Sequence, residues 1–322
     1  LLEEFLETSF ELENANMEEI KIFAPASVAN VSCGFDVLGF CLDPVGDVMH
    51  VSKTETSGVQ IGTVTGQELP KDPLKNVASV AVSALLEAHP SKEGFRIDID
   101  KKIKPGSGIG SSAASAAGAV FALNELLGAP SSRGEWVQFA MAGEALASGA
   151  AHADNLAPVL LGGFTLVRCN TTLDIIKLPT PQDLVATVIH PKIELKTIHS
   201  RAILKNEIPL HKGVAQWGNL GAFVSALFTE DYELLSRSMQ DEVIEPLRAM
   251  LIPKFNEVKQ AALDAGALGS GISGSGPSIF ALSRGRETAK KVGDAMKTFY
   301  DQIGLDYDVH LSPINQQGIK IL

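Results

Sequence analysis

The sequence is short of cysteine and has no long apolar run. Its 322 residues include three cysteines, Cys33, Cys41 and Cys169, and no CxxC pair. This usage argues against disulfides or a zinc knuckle and favours a reducing compartment. No apolar run approaches the length that spans a bilayer, and no signal peptide is apparent. We therefore expect a cytoplasmic protein that buries its core in two domains or in one large domain.

Positive charge is also scarce. Lysine and arginine number 27 against 38 aspartates and glutamates, which gives a net charge of −11. Nucleic acids and anionic membranes both require a basic surface, so we expect neither as a partner. Residues 1–16 hold five glutamates and no lysine or arginine. We expect them to be an appendage to the fold, either tag-derived or disordered, with Met17 as the natural start.

A glycine-rich stretch, Lys104–Ser115 (KPGSGIGSSAAS), is the clearest functional signal. Gly106, Gly108 and Gly110 permit a close approach of the backbone to a ligand and positive φ angles. Two serines then begin a helix, whose first N–H groups and dipole attract anions. The stretch is not a Walker loop, because no Lys-Ser pair follows the last glycine. It predicts a phosphate-binding loop, and the alternative is a capped helix after a flexible turn.

Two carboxylates stand among small or apolar neighbours. Asp36 lies in Pro25–Gly39, which is rich in Ser, Asn and Gly, and is either a solvated loop acid or a buried acid aimed at a cationic ligand group. Glu144 lies on a helix that Ser132 and Glu135 begin with a capping box. Its surroundings, AMAGEALASG, favour a buried carboxylate with a task, such as holding a metal, over an exposed one.

A short polar loop follows that helix. Ala150–Pro158 contains His152, Asp154 and Asn155 between apolar flanks, a pattern more typical of functional loops than of structural ones. Considered alone, His152 is better explained as a packing histidine. No second histidine lies nearby, so the spacing does not predict a zinc site.

Strands and helices alternate without a regular βαβ repeat, which indicates an α+β fold. The predicted strands are Glu19–Ala24, Met49–Thr54, Val59–Val64, Phe95–Ile103, Leu161–Arg168, Leu184–His190, Ser278–Ser283 and Asp308–Leu311. The predicted helices are Val77–Glu87 with Asn76 as its cap, Ala113–Leu127, a helix that ends near Ser148, Gln216–Leu227, Tyr232–Met239, Pro253–Ala265 and Arg286–Ile303. The turn-rich Thr171–Gln182 marks a soft domain boundary.

Gly269–Gly274 (GSGISG) matches the dinucleotide-binding pattern GxGxxG. That fingerprint requires a strand before it and a helix after it, whereas here a helix precedes and a strand follows. We therefore predict a glycine-rich turn packed against another loop or a ligand.

Four stretches together resemble the GHMP kinases, small-molecule kinases that lack a Walker loop, and they occur in that family's order. They are PASVANVSCGFDVLG, PGSGIGSSAAS, GEALASGAAHADNLAP and GSGISGSGPSIFAL. The resemblance covers nearly the whole chain from about Glu19 and is strongest to the members that act on L-homoserine. It implies a two-domain α+β architecture with ATP between the domains: a ribosomal-protein-S5-like nucleotide-binding domain over 17–170 and a ferredoxin-like domain over 171–322.

The resemblance also implies roles for individual residues. Backbone N–H groups of the glycine-rich loop hold the triphosphate of ATP, and Asn76 lies in an adenine-binding segment. The implied nucleotide-binding residues are Asn76, Pro105, Gly106, Ser107, Gly108, Ile109, Gly110, Ser111 and Ser112. Ser112 and Glu144 hold Mg²⁺, whose hard charge prefers oxygen ligands. The implied acceptor-binding residues are Asn30, Asp36, His152, Asn155, Arg201 and Arg248, and the implied catalytic residues are Asn155, Glu144, Ser112 and Arg201.

The implied reaction transfers the γ-phosphoryl group of ATP to the side-chain hydroxyl of L-homoserine, on the route to threonine, in a homodimer. An amino-acid acceptor needs an acid for its ammonium group and an arginine for its carboxylate; Asp36 can supply the first, and Arg201 or Arg248 the second. We name no general base, since phosphoryl transfer depends mainly on positioning and charge neutralisation. Two alternatives stay open: a GHMP kinase for another small alcohol, such as mevalonate or shikimate, and a ligand sensor that keeps the fold without catalysis.

Overall fold

The computed structural model describes residues 17–149, 152–195 and 197–322, so the prediction for residues 1–16 lies outside the described residues. The described strands form one seven-stranded and one four-stranded sheet with helices packed on them, which confirms the α+β fold. None of the helices in these ranges is long and apolar enough to cross a membrane.

The first sheet has the strand order β11-β1-β2-β4-β3, with β5 beside β2 and β6 beside β5. Its strands are β1 (Glu19–Ala29), β2 (Leu38–Thr54), β3 (Gly58–Thr65), β4 (Gly94–Asp100), β5 (Phe164–Cys169), β6 (Asp174–Leu178) and β11 (Lys320–Ile321). The helices of this part are α1 (Val77–Ala88), α2 (Ser111–Leu126), α3 (Arg133–Ser148) and α4 (Leu156–Leu161). Along β4, Phe95, Ile97 and Ile99 are buried and alternate with more exposed side chains, because one face of the sheet packs on these helices.

The prediction that Pro25 ends the first strand is wrong. Strand β1 runs on to Ala29, with a register shift between Pro25, opposite Gly46, and Ser27, opposite Cys41. An irregularity at this point accommodates a residue that has no N–H to donate to the ladder. The loop between β1 and β2, which carries Asp36, is correspondingly short, since β2 begins at Leu38.

The second sheet is wholly antiparallel and has the strand order β10-β7-β9-β8. Its strands are β7 (Leu184–Pro191), β8 (Gly269–Ile272), β9 (Ile279–Arg284) and β10 (Tyr307–Pro313). The helices are α5 (Thr197–Ala202), α6 (Leu210–Thr229), α7 (Tyr232–Ser238), α8 (Glu245–Arg248), α9 (Phe255–Asp264) and α10 (Arg286–Ile303), with a 3₁₀ turn at Ala249–Leu251. Helices between β7 and β8 and between β9 and β10 complete the ferredoxin-like arrangement.

Two predicted turn-rich segments need correction, because each contains a strand. Gly269–Ile272 is strand β8 rather than part of a turn, and the turn lies after it, at 273–276. Strand β6 lies in Thr171–Gln182, the turn-rich segment predicted to be a soft domain boundary, and it pairs with β5. The first sheet therefore extends beyond residue 170, and its edge strand β11 comes from the C-terminal end. The division of the chain at 170 stays a prediction.

Candidate active site

A cavity of about 280 Å³ lies between the loops of the two sheets. The predicted acceptor-binding residues all line it: Asn30, Asp36, His152, Asn155, Arg201 and Arg248. Most of the predicted nucleotide-binding residues do so as well: Asn76, Pro105, Gly106, Gly108, Gly110, Ser111 and Ser112. Glu144 also faces the cavity, whereas Ser107 and Ile109 are buried beside it.

The glycine-rich loop takes the shape that its sequence predicts. Gly106, Gly108 and Gly110 have φ angles of 74°, 82° and 71°, in the left-handed region that favours glycine. Gly110 is the N-cap of α2 and supplies no side-chain cap, so the first N–H groups of this helix remain for a ligand. A dipole end and open N–H groups at the wall of a cavity are features suited to a phosphate group.

The loop is held from behind by the turn that follows β8. Ser273 Oγ donates to the Gly108 carbonyl at 2.7 Å, and Ser278 Oγ donates to the Ser107 carbonyl at 2.6 Å. The Ser107 N–H donates to the Lys104 carbonyl at 3.2 Å, so it serves the loop itself rather than the cavity. The turn at 273–276 thus packs against another loop, as predicted.

Ser112 and Glu144 come together from two helices. Ser112 Oγ donates to Glu144 Oε2 at 2.7 Å, next to the glycine-rich loop. Among the described residues, no cluster of three or more His, Cys, Asp or Glu side chains could hold a metal ion. A hydroxyl and a carboxylate are oxygen donors of the kind that Mg²⁺ takes, and Mg²⁺ usually has few protein ligands, so this pair is a candidate magnesium site.

Asp36 is the centre of a charged cluster at the other end of the cavity. Arg201 donates to it through both terminal nitrogens, at 3.1 and 2.9 Å, and His152 Nδ1 lies 3.6 Å from Asp36 Oδ2. Asn30 Oδ1 accepts from the Asp36 N–H at 2.7 Å and fixes the loop. Burial lowers the pKa of His152, so the imidazole is neutral at pH 7.

Arg248 is a buried cation at the same end. Its side chain is only 2% exposed, and it donates to the carbonyls of Ser200 and Gly274 at 3.2 and 3.1 Å. Burial lowers the pKa of Arg248 to about 10, so it remains charged at neutral pH. Within the described ranges, no carboxylate forms a salt bridge with it. A buried arginine that the chain pairs only with carbonyls is suited to bind an anion.

Two buried ionisable residues also line the cavity and were not among the predicted site residues. Asp154 is 3% exposed, and its burial, with Asp36 and Glu144 nearby, raises its pKa to about 7. Lys101 is 1% exposed, pairs with Asp47, and donates to the Ser111 carbonyl at 2.7 Å, beneath the start of α2. Every second side chain of an extended segment points to the same side, and Lys101 continues the series Phe95, Ile97 and Ile99. This spacing could have identified Lys101 as a residue that faces the core.

Asn155 is positioned by the first strand of the first sheet. Its Oδ1 accepts from Ser27 Oγ at 2.8 Å. A Cβ atom at Gly110 would lie 2.1 Å from that hydroxyl, so the glycine allows the phosphate loop to lie against this pair. The loop that carries Asn155 and the glycine-rich loop therefore lie next to each other.

Comparison with known proteins gives family-level matches in both halves of the chain. The family model "GHMP kinases N terminal domain" matches residues 76–163, and "GHMP kinases C terminal" matches residues 223–302. The homoserine kinase of Chlorobaculum tepidum is 46% identical over 95% of this chain and 99% of its own. The homoserine kinase of Chloroherpeton thalassium is 47% identical over 95% of this chain and 100% of its own.

A solved structure is similarly close. The crystal structure of homoserine kinase from Cytophaga hutchinsonii matches with a TM-score of 0.92 and 51% identity, over 95% of this chain and 98% of that one. The likeness therefore includes both sheets.

Proposed function

The chain belongs to the GHMP kinases, and on that premise we propose that it transfers the γ-phosphoryl group of ATP to the side-chain hydroxyl of L-homoserine. The product is O-phospho-L-homoserine, on the route to threonine. Relatives that are 46% and 47% identical over nearly their whole length are homoserine kinases, which supports this acceptor.

The observation that carries the acceptor assignment is the pairing of charges around Arg248 and Asp36. Both terminal nitrogens of Arg201 already donate hydrogen bonds to Asp36. Arg248 is buried and charged, and among the described residues it donates hydrogen bonds only to carbonyls, so it is the better candidate for the carboxylate of the acceptor. Asp36 then supplies the negative charge that an ammonium group needs. An amino acid offers both charges in one small molecule.

The opposite end of the cavity suits the triphosphate. The open N–H groups at the start of α2 lie over the buried ammonium group of Lys101, and both favour negative charge as it develops on the transferred group. Ser112 and Glu144 would hold Mg²⁺, which supplies charge neutralisation on the phosphate oxygens when it is bound. Asn155, between the two loops, is placed to orient the attacking hydroxyl.

The two alternatives have less support. Mevalonate and shikimate carry a carboxylate but no ammonium group, so Asp36 would have no cationic partner in the acceptor. A sensor without catalysis would not need the Ser112–Glu144 pair beside an intact glycine-rich loop.

An ADP-release assay with four acceptors tests the proposal. We expect turnover with L-homoserine to exceed that with mevalonate and shikimate by at least about 100-fold, because neither offers an ammonium group to the Asp36 carboxylate. Threonine offers both charges, but its hydroxyl is one carbon closer to them, so its turnover should also be lower than that of L-homoserine. Faster turnover of mevalonate or shikimate would contradict the acceptor assignment. No ADP release with any acceptor would favour the sensor.

Arg248→Ala tests the carboxylate site. The KM for homoserine should rise roughly 100-fold, because a buried charged contact is lost, whereas the KM for ATP should change little. Arg284 is exposed and pairs with Asp183, so Arg284→Ala is the matched control. Equal increases in both KM values would remove Arg248 from the acceptor site.

Three further assignments stay predictions: the homodimer, the cytoplasmic location and the Mg²⁺ requirement. The mass of the protein in solution tests the first.

A further inference from the structure

The ring of Phe35 lies against both arginines of the acceptor site. The guanidinium carbons of Arg201 and Arg248 are 5.7 and 5.1 Å from the ring centroid. Both distances lie within the range of a cation–π interaction, in which the negative face of an aromatic ring attracts a cation. One side chain thus contacts both cations, and Phe35 was not among the predicted site residues.

Ordinary core packing does not explain the position of this ring. Phe35 is half-buried and belongs to neither of the two hydrophobic clusters formed by the described residues. Its neighbour Asp36 has a φ angle of 58°, in the left-handed region, and Ser32 has a φ of 47°. Such angles are costly for residues other than glycine, so the loop is held in a shape that its local sequence does not favour.

The two guanidinium groups repel each other, and Asp36 forms its ion pair with only one of them. Burial is the main cause that lowers the pKa of Arg248 from its usual value, and repulsion from Arg201 lowers it further. A ring face is a partner that attracts both cations without competing for the N–H groups that an acceptor carboxylate must receive.

We propose that Phe35 is a positioning residue of the acceptor site, whose ring holds Arg201 against Asp36 and Arg248 towards the carboxylate of the acceptor. This proposal rests on the proposed function, because it assigns the geometry of the same site. The ring makes no bond in the reaction, and its effect is on the affinity for the acceptor.

The first experiment compares Phe35→Leu with Phe35→Tyr. Leucine keeps an apolar side chain but loses the ring, so the KM for homoserine should rise about tenfold with little change in the KM for ATP. Tyrosine keeps the ring and should stay within about threefold of the wild type. Phe121 is also half-buried, but its ring meets Trp136 at 5.5 Å and, among the described residues, no guanidinium group, so Phe121→Leu is the matched control. It should leave both KM values unchanged.

The second experiment removes the charge distribution of the ring and keeps its shape. Phenylalanine with one, two and three ring fluorines is placed at position 35 of the full chain, and the KM is measured with whichever carboxylate-bearing acceptor the four-acceptor assay identifies. The KM of the acceptor should increase stepwise with the number of fluorines, because each fluorine weakens the negative face.

These outcomes separate the two proposals. A wild-type enzyme that prefers a different acceptor contradicts the proposed function, and the fluorine series on that acceptor still tests Phe35. Active enzyme whose acceptor KM does not respond to fluorination overturns the role of Phe35 alone. The same conclusion follows if Phe35→Leu raises both KM values equally, or if Phe35→Tyr is as impaired as the leucine variant.

Discussion

At the scale of single residues, the cavity gathers charges that the fold has removed from water. Asp154, Lys101 and Arg248 are each 3% exposed or less. Lys101 has a carboxylate partner in Asp47, but Arg248 is held by carbonyls, and Asp154 lies near two other acids. Burying charges in this way costs stability, and it leaves strong local fields at the place where a charged ligand binds.

Glu144→Gln tests the metal site. The amide oxygen can still accept from Ser112 Oγ, but the charge is lost, so turnover should fall on the order of 10- to 100-fold and more Mg²⁺ should be needed for half-maximal rate. The measurement is kcat as a function of Mg²⁺ concentration. Glu257, an exposed partner of Lys254, provides the control variant Glu257→Gln. An unchanged Mg²⁺ requirement would refute the role of Glu144.

Asp154→Asn tests the burial of an acid. The pKa of Asp154 is about 7 in the folded chain, compared with about 3.9 for an ordinary aspartate. The folded state therefore holds this proton more tightly, and the contribution of Asp154 to stability is fully present below pH ~4 and is lost as the pH rises towards 7.

Asparagine resembles the protonated acid, so the variant should be more stable than the wild type at pH 8, by roughly 2–4 kcal/mol, and nearly equal to it at pH 4. Denaturant unfolding at several pH values, without Mg²⁺ or nucleotide, measures this difference. Asp72→Asn, at an exposed position, is the control. A difference between Asp154→Asn and wild type that does not vary with pH would contradict the shift.

At the scale of elements, the phosphate loop and the turn after β8 form one unit. Two features can require glycine in this loop: a left-handed φ angle and a neighbouring atom that leaves no room for a side chain. Both apply at Gly108. A Cβ atom there would lie 2.6 Å from the Gly276 carbonyl oxygen. The turn can therefore hold the loop only while position 108 carries no side chain.

Gly108→Ala and Gly128→Ala separate those two requirements. Their φ angles are 82° and 80°, but a Cβ at Gly128 would meet nothing within 4 Å. Both variants should lose about 1 kcal/mol through the left-handed backbone. Only Gly108→Ala must also displace the turn, so it should lose roughly 2 kcal/mol more and raise the KM for ATP about tenfold or further. Melting curves and nucleotide kinetics measure both effects, and equal behaviour of the two variants would argue against the contact.

The elements also show which kinds of pattern predict well. Helix α10 has the bounds that its sequence predicts, because amphipathic spacing and an N-terminal glycine are local signals. For the segment that holds strand β6 the sequence predicts a turn-rich domain boundary, and for β8 it predicts part of a turn. Each is short and is stabilised by a partner strand rather than by its own residues, so local propensity could not identify it.

At the scale of the whole molecule, hydrogen bonds cross from the second sheet to the phosphate loop. Ser278 Oγ lies 2.6 Å from the Ser107 carbonyl oxygen and 3.2 Å from His190 Nδ1, on β7. Burial lowers the pKa of His190 to about 4, so its imidazole is neutral at pH 7. The single hydroxyl hydrogen of Ser278 goes to the Ser107 carbonyl, so this contact requires the tautomer in which Nδ1–H donates to Ser278 Oγ. The second sheet thus fixes the shape of a loop that belongs to the first.

Ser278→Ala should therefore weaken nucleotide binding although Ser278 lies outside the lining of the cavity. Loss of one buried hydrogen bond predicts a KM for ATP that is about 3- to 10-fold higher, with the KM for homoserine nearly unchanged. Ser283 is equally buried on β9, but its hydroxyl has no hydrogen-bond partner among the described residues, so Ser283→Ala is the control. If both serine variants bind ATP like the wild type, the bond has no role in the loop.

The amino-acid sequence determined the local chemistry of this protein: a glycine-rich loop before a helix, a capped helix that carries Glu144, a polar loop, and the family to which these belong. Such features depend on residues that are close together in the sequence, so the sequence alone is enough to recognise them. The tertiary structure decided which charges meet. Asp36 and Arg201 are 165 residues apart in sequence, and their pairing leaves Arg248 available to an anion. The placement of Phe35 against both arginines and the burial of Asp154 were also decided by the tertiary structure, because interaction energies between charges depend on distance and on the surrounding dielectric.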